Sequence, residues 1–134
     1  MTETPARPRK SPCATCPFRV NVPSGIWDAT EYERLAAYDE ETYAQPTAAF
    51  MCHSGPSAVC AGWLGFGDPA DLLAVRLGIT LGTLEATCAT YETPVPLHPS
   101  GRAAAEHGMA DIAAPSTKAL NAIRKIVQLR PDIT

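Results

Sequence analysis

The sequence predicts a mainly α, small metal-stapled domain with long irregular loops, about four to five short helices and little or no sheet. Three observations carry this. Apolar residues recur at helical spacing in several short windows. Segments bearing proline and glycine separate those windows. Four cysteines fall into two closely spaced pairs, Cys13/Cys16 and Cys52/Cys60. The 134 residues are 46% hydrophobic and 19% charged, which is the composition of one globular domain rather than a disordered chain. The apolar content is alanine-rich and only 7% aromatic, so the core buries little area and a metal would add stability as well as function.

Residues 1–12 are polar, Pro-rich and basic, and read as a flexible N-terminal arm ahead of a single domain over 13–130. Pro17 and Pro23 forbid a continuous helix through the first cysteine pair. The first helix starts at Asp28, with Glu31 three residues on and Trp27 and Tyr32 placed as a hydrophobic staple, and fades near Asp39. Asp39-Glu40-Glu41 reads as a solvated loop. Ala48 to Met51 is an apolar lead into Cys52. A helix is expected over 57–66, starting near Ser57 and ended by Gly65 and Gly67. Asp68-Pro69-Ala70-Asp71 opens another, with Gly78 as its C-terminal stop. A short helix is expected around Leu84 to Ala89, and one from Ser100 to His107 closed by Gly108. The last runs from Ser116 to Leu129, with Leu120, Ile123, Ile126 and Val127 on its apolar face.

Net charge is −3 and the isoelectric point is about 5.5. This balance argues mildly against a nucleic-acid partner, although Arg7, Arg9, Lys10 and Arg19 cluster near the first cysteines and Lys118, Arg124, Lys125 and Arg130 near the C-terminus. With no run of about 18 apolar residues, a membrane span is not expected. MTETPARPRKSP holds no apolar stretch for a signal peptide. The expectation is a cytoplasmic protein in which thiols stay reduced, and five cysteines, an odd number, also favour metal ligation over disulfides.

Cys13 and Cys16 form a Cys-x2-Cys knuckle, whose tight turn brings two sulfurs to one centre. Cys52 and Cys60 enclose a segment containing His53, Gly55 and Pro56, suited to a loop that folds back. Four sulfurs suit tetrahedral Zn2+, and they also suit a [4Fe–4S] cluster, where proline beside a ligand cysteine is familiar. His53 adjoins Cys52, so its side chain diverges from that ligand; it reads as a donor behind the ligands or as an alternate ligand. Cys88 reads as a core residue. His98 and His107 read as surface histidines. A redox pair is disfavoured, because PRKSP precedes the knuckle where a strand is needed.

The pieces CATCPFR over 13–19, Gly25-Ile26-Trp27 with Tyr32 and Leu35, Phe50-Met51-Cys52-His53, CAGWL over 60–64 and Val75-Arg76-Leu77 resemble an uncharacterised family of small cysteine-rich proteins of actinobacteria and their phages. The likeness spans about residues 13 to 108. It implies a metal-centred site and an actinobacterial or phage setting. A fainter likeness, to WhiB-like iron–sulfur regulators, rests on four cysteines with a glycine and tryptophan nearby, at a different spacing. In this setting Arg19 and Arg76 are candidates to offset the charge of a metal tetrathiolate. Trp63 is expected to pack against the site.

The expected function is a non-enzymatic binding or regulatory module that contacts a protein or a nucleic acid, protein at least as much as nucleic acid. The alternatives are an iron–sulfur redox or gas sensor, and a metal-dependent enzyme with one open coordination position served by His53 or Glu31. The zinc-deaminase signatures His-x-Glu and Pro-Cys-x2-Cys are absent from the sequence.

Overall fold

Residues 4–52 and 58–129 are described by a computed structural model. Among them five α-helices stand around one two-stranded parallel sheet, joined by short 3-10 turns, in the mainly α architecture expected. The sheet pairs β1 (Arg7–Pro8) with β2 (Ala58–Val59), Arg7 opposite Ala58 and Pro8 opposite Val59. Part of the segment expected to be a flexible arm is therefore built into the fold. The Ala6 N–H donates to Thr83 O at 2.9 Å, the Glu85 N–H to Ala6 O at 2.9 Å, and the Arg9 N–H to Val59 O at 2.9 Å. Prolines tolerate this placement because a two-residue edge strand asks little of their missing N–H.

Helix α1 (Ala29–Glu33) begins after Asp28 and passes into a 3-10 turn over Leu35–Asp39. No capping box forms; the Asp28 carboxylate instead accepts the Thr30 hydroxyl at 2.6 Å. Tyr32 folds beneath the helix start, and its hydroxyl accepts the N–H groups of Ile26 and Trp27 at 3.2 and 3.1 Å. Asp39 is more than a solvated acid. Its carboxylate accepts the N–H groups of Gly101 and Arg102 at 2.6 and 2.8 Å, so it caps α4 (Gly101–Met109) across the fold. Ser100 adds the local cap, accepting the Ala103 N–H at 3.0 Å.

The helix expected over 57–66 is replaced by β2 and then α2 (Ala61–Gly65), with residues 53–57 outside the described set. Val59 is β-branched and fully buried between β1 and the chain before Cys52, and burial in a ladder outweighs any helical preference there. The Asp68 cap and Pro69 form as predicted but produce only a 3-10 turn, Pro69–Asp71. Helix α3 (Leu73–Leu81) starts afresh, its first N–H groups served by Gln45, whose Oε1 accepts from Leu73 at 3.0 Å. It ends at Gly82, not Gly78: Gly82 has φ 78°, the left-handed value a helix stop needs. Gly78 lies inside α3 against the side chain of Leu84.

A 3-10 turn, Ala86–Thr90, carries Cys88, which is fully buried as expected. Gly108 sits within α4 against the Tyr32 ring instead of closing it. On α5 (Thr117–Leu129) the buried face is Ala119 and Ile126, with Ala122 and Ile123 beside them. Leu120 was expected on that face and is 48% exposed, because small alanines rather than leucine let α5 approach the body.

Candidate metal centre

The first thiol pair sits on two successive turns. Cys16 N–H donates to Cys13 O at 3.1 Å, and Arg19 N–H to Cys16 O at 3.1 Å. Pro17 between them lacks an N–H, so the chain cannot continue as a helix. Outside this knuckle, Trp27 Nε1 donates to Thr15 O at 2.9 Å, and Arg19 Nη1 to Pro12 O and Cys13 O at 3.1 and 3.4 Å. The knuckle's outward carbonyls are thus tied down, which fixes where its side chains point.

The second pair sits on a narrow antiparallel pairing around Met51 and Val59. Cys52 N–H donates to Ala58 O at 2.8 Å and Cys60 N–H to Phe50 O at 2.9 Å. Period-two alternation puts Cys52 and Cys60 on the same side of this pairing, diagonal to each other. Cys60 is also the N-cap of α2, and its sulfur accepts the Trp63 N–H at 3.4 Å.

The two halves meet. Cys16 Sγ lies 3.8 Å from Cys60 Sγ, across 44 residues of sequence. Cys13 is hydrogen-bonded to Cys16 as well. Those two thiol neighbours, with burial, push the Cys16 pKa far above that of an ordinary thiol. The backbone makes room for the contact: a Cβ on Gly62 would collide with the Cys16 sulfur. All four thiols are enclosed, at 6% exposure for Cys13, 1% for Cys16 and 4% each for Cys52 and Cys60. Among the described residues there is no group of three or more His, Cys, Asp or Glu side chains that could hold a metal ion. Cys16 is in contact with both Cys13 and Cys60.

Around the thiols stands an aromatic wall. Phe18 stacks on Phe66 at 4.8 Å and meets Phe50 edge-on at 6.1 Å. Trp63 is fully buried with Tyr38 edge-on at 5.4 Å, so it packs as anticipated; its Nε1 has no hydrogen-bond partner among the described residues. The few aromatic residues of the chain are concentrated here.

The cation that reaches a sulfur is Arg9, with Nη1 3.9 Å from Cys52 Sγ. Composition marked a basic cluster near the knuckle, but only the β1 pairing reveals which member turns inward. Arg19 clamps carbonyls instead. The bonds described for Arg76 go to Ala70 O at 2.6 Å and to the Asp71 carboxylate at 3.3 Å, an exposed ion pair of small worth. His53 lies outside the described residues. Tyr91, a residue sequence reasoning did not single out, donates its hydroxyl to Lys10 O at 3.1 Å; burial first, then the nearby Cys60 and Cys16, raise its pKa. His98 and His107 are half-buried rather than surface residues and face each other with ring centroids 5.0 Å apart.

The donor set is soft, buried and provided with complementary N–H groups. A tetrahedral site with Zn–S near 2.3 Å has sulfur–sulfur edges of about 3.8 Å, and the Cys16–Cys60 separation is 3.8 Å. One edge of such a site is therefore matched by the thiols. Among the described residues no helix is long and apolar enough to cross a membrane. No curated protein and no solved structure matches the chain. Residues 8–130 match the family of unknown function DUF6283, and since that is nearly the whole chain, the protein belongs to this family.

Proposed function

We propose that Cys13, Cys16, Cys52 and Cys60 bind one zinc ion, and that the ion locks the N-terminal knuckle onto α2 to make a non-enzymatic binding module. The observation that carries this is the contact between enclosed thiols from two distant segments at the edge length of a zinc tetrathiolate. Bound there, the ion would cross-link the two segments, and the four thiolates would leave the site net negative, a charge that Arg9 and the Trp63 backbone N–H are placed to offset. Closure of the ligand shell needs Cys13 and Cys52 to turn toward the Cys16–Cys60 pair. The burial of all four sulfurs supports a closed, structural ion over one with an open catalytic position. A cubane cluster seats each thiolate on its own iron, which sets sulfurs farther apart than a shared tetrahedral edge. The setting in which such a module works, the cytoplasm of an actinobacterium or of its phage-infected cell, is part of the same reading.

Metal analysis of the native protein tests it. Colourless protein with about one zinc per chain is expected, and Cys60→Ser should lose the ion. Brown protein carrying iron would replace zinc by a cluster. Protein that purifies without metal and takes up none would end the ligand assignment.

A further inference from the structure

A groove of about 570 Å³ runs between the knuckle and α5. Thr15, Arg19 and Asn21 line one wall; Lys118, Asn121 and Lys125 line the other. Every polar residue in that lining is a cation, an amide or a hydroxyl, and none is a carboxylate. Helix α5 itself carries Lys118, Arg124 and Lys125 and no acid. Among the described residues neither groove lysine has an ion-pair or hydrogen-bond partner.

The molecule is therefore electrically divided. Asp39, Glu40, Glu41, Asp68 and Asp71 gather around a separate cavity, so the net charge of −3 hides a local excess of positive charge at the groove. Near the surface the field at a site is set by charges within about 10 Å rather than by the chain total.

We propose that this groove binds the phosphodiester backbone of a nucleic acid without reading its sequence. This deepens the module reading above and rests on it, because the knuckle forms one wall. The residue types favour phosphates. Arg, Lys, Thr and Asn side chains are the usual donors to phosphate oxygens. Recognition of an acidic or phosphorylated peptide relies on forked guanidinium contacts. The groove's single arginine has Nε and Nη1 committed to Asn21 Oδ1 and the carbonyls of Pro12 and Cys13. What it offers is two lysines, point charges seven residues apart on one helix and so about 10 Å apart along its axis. They neutralise a repeating anion and specify little else.

The test is fluorescence anisotropy with labelled single-stranded and duplex DNA of about 20 nucleotides, using the full chain with its metal measured on the same sample. Neutralising three phosphates, with the charges of Lys118, Lys125 and Arg19, predicts a loss of affinity between 50 and 200 mM salt of about 18-fold on a single strand, and on the duplex of about 40-fold. Lys118→Gln with Lys125→Gln should shrink that loss to about 3–4-fold. Arg102→Gln, at the acidic cavity, should leave it unchanged. Binding that ignores the lysine pair would overturn the proposal, as would displacement of the DNA by an equal concentration of a polyglutamate peptide. Salt-dissociable self-association without DNA binding would give the groove to a second copy instead. Metal present with no DNA bound overturns the groove alone; lysine-dependent binding by metal-free protein overturns only the zinc reading.

Discussion

Gly62→Ala puts one methyl group where the thiol contact is tightest. A Cβ there lands on the Cys16 sulfur and 2.9 Å from Phe18 Cβ. Neither neighbour has slack: Cys16 is 1% exposed and Phe18 is fully buried, stacked on Phe66. Overpacking of this kind costs about 1–3 kcal/mol, and two such contacts in a closed site argue for the upper end. Against it stands the gain of about 1 kcal/mol from replacing glycine by alanine inside a helix. The net is a loss of about 1–2 kcal/mol, which for a chain this size lowers Tm by about 3–10 °C. Because the displaced atom is a proposed ligand, zinc affinity read by competition with a chromogenic chelator should also fall, by about tenfold for each 1.4 kcal/mol that reaches the bound state. Gly67→Ala is the control, since nothing lies within 4 Å of the new methyl. If Gly62→Ala melts at or above the parent temperature and holds zinc as tightly, the helix term has won and the sulfur is not where the argument puts it.

Tyr32→Phe removes the hydroxyl that accepts the N–H groups of Ile26 and Trp27 while leaving the ring in place. Two stranded buried donors cost about 2–4 kcal/mol, read as a drop in urea midpoint with unchanged slope; a smaller shift than about 1 kcal/mol would mean the hydroxyl is dispensable. His98 has its pKa held below the ordinary 6.5, by burial and then by the charge of His107. The unfolded chain thus takes up that proton first, so the histidine's contribution is present above pH 6.5 and lost as the pH falls. Tm measured from neutral to mildly acidic pH should fall more steeply for the parent than for His98→Gln. Titration elsewhere in the chain is common to both and cancels in the difference. Parallel curves would show that the pair carries no linkage.

Much of the fold was legible because it rests on local rules. Asp28, Ser100 and Ser116 mark helix starts where caps are found or the chain turns extended, and Tyr32, Leu35 and Ile126 are buried as the 3.6-residue spacing implies. What was not legible depends on partners far away in sequence. Nothing local distinguishes Gly78 from Gly82; Leu84 decides, by needing the space at Gly78. The hidden strand at Ala58–Val59 exists only because residues 7–8 lie beside it. The candidate site divides the same way. Its sulfurs could be named from spacing, but Arg9, Tyr91 and the glycine cradle at 62 could not, since each approaches from an element whose position is a tertiary fact.

All four sulfurs lie within the first sixty residues, whereas part of their enclosure comes from chain made later. His98 N–H reaches Phe18 O at 2.8 Å, Leu97 pairs with Arg19, and Tyr91 reaches Lys10 O. During synthesis, which proceeds from the N-terminus, the knuckle and the 52–60 pairing emerge from the ribosome before that cover does. The nascent chain thus carries all four thiols before the segments that later cover them exist, and on the zinc reading proposed above that stage is when an ion has its way in. Completion of the second half then covers the thiols.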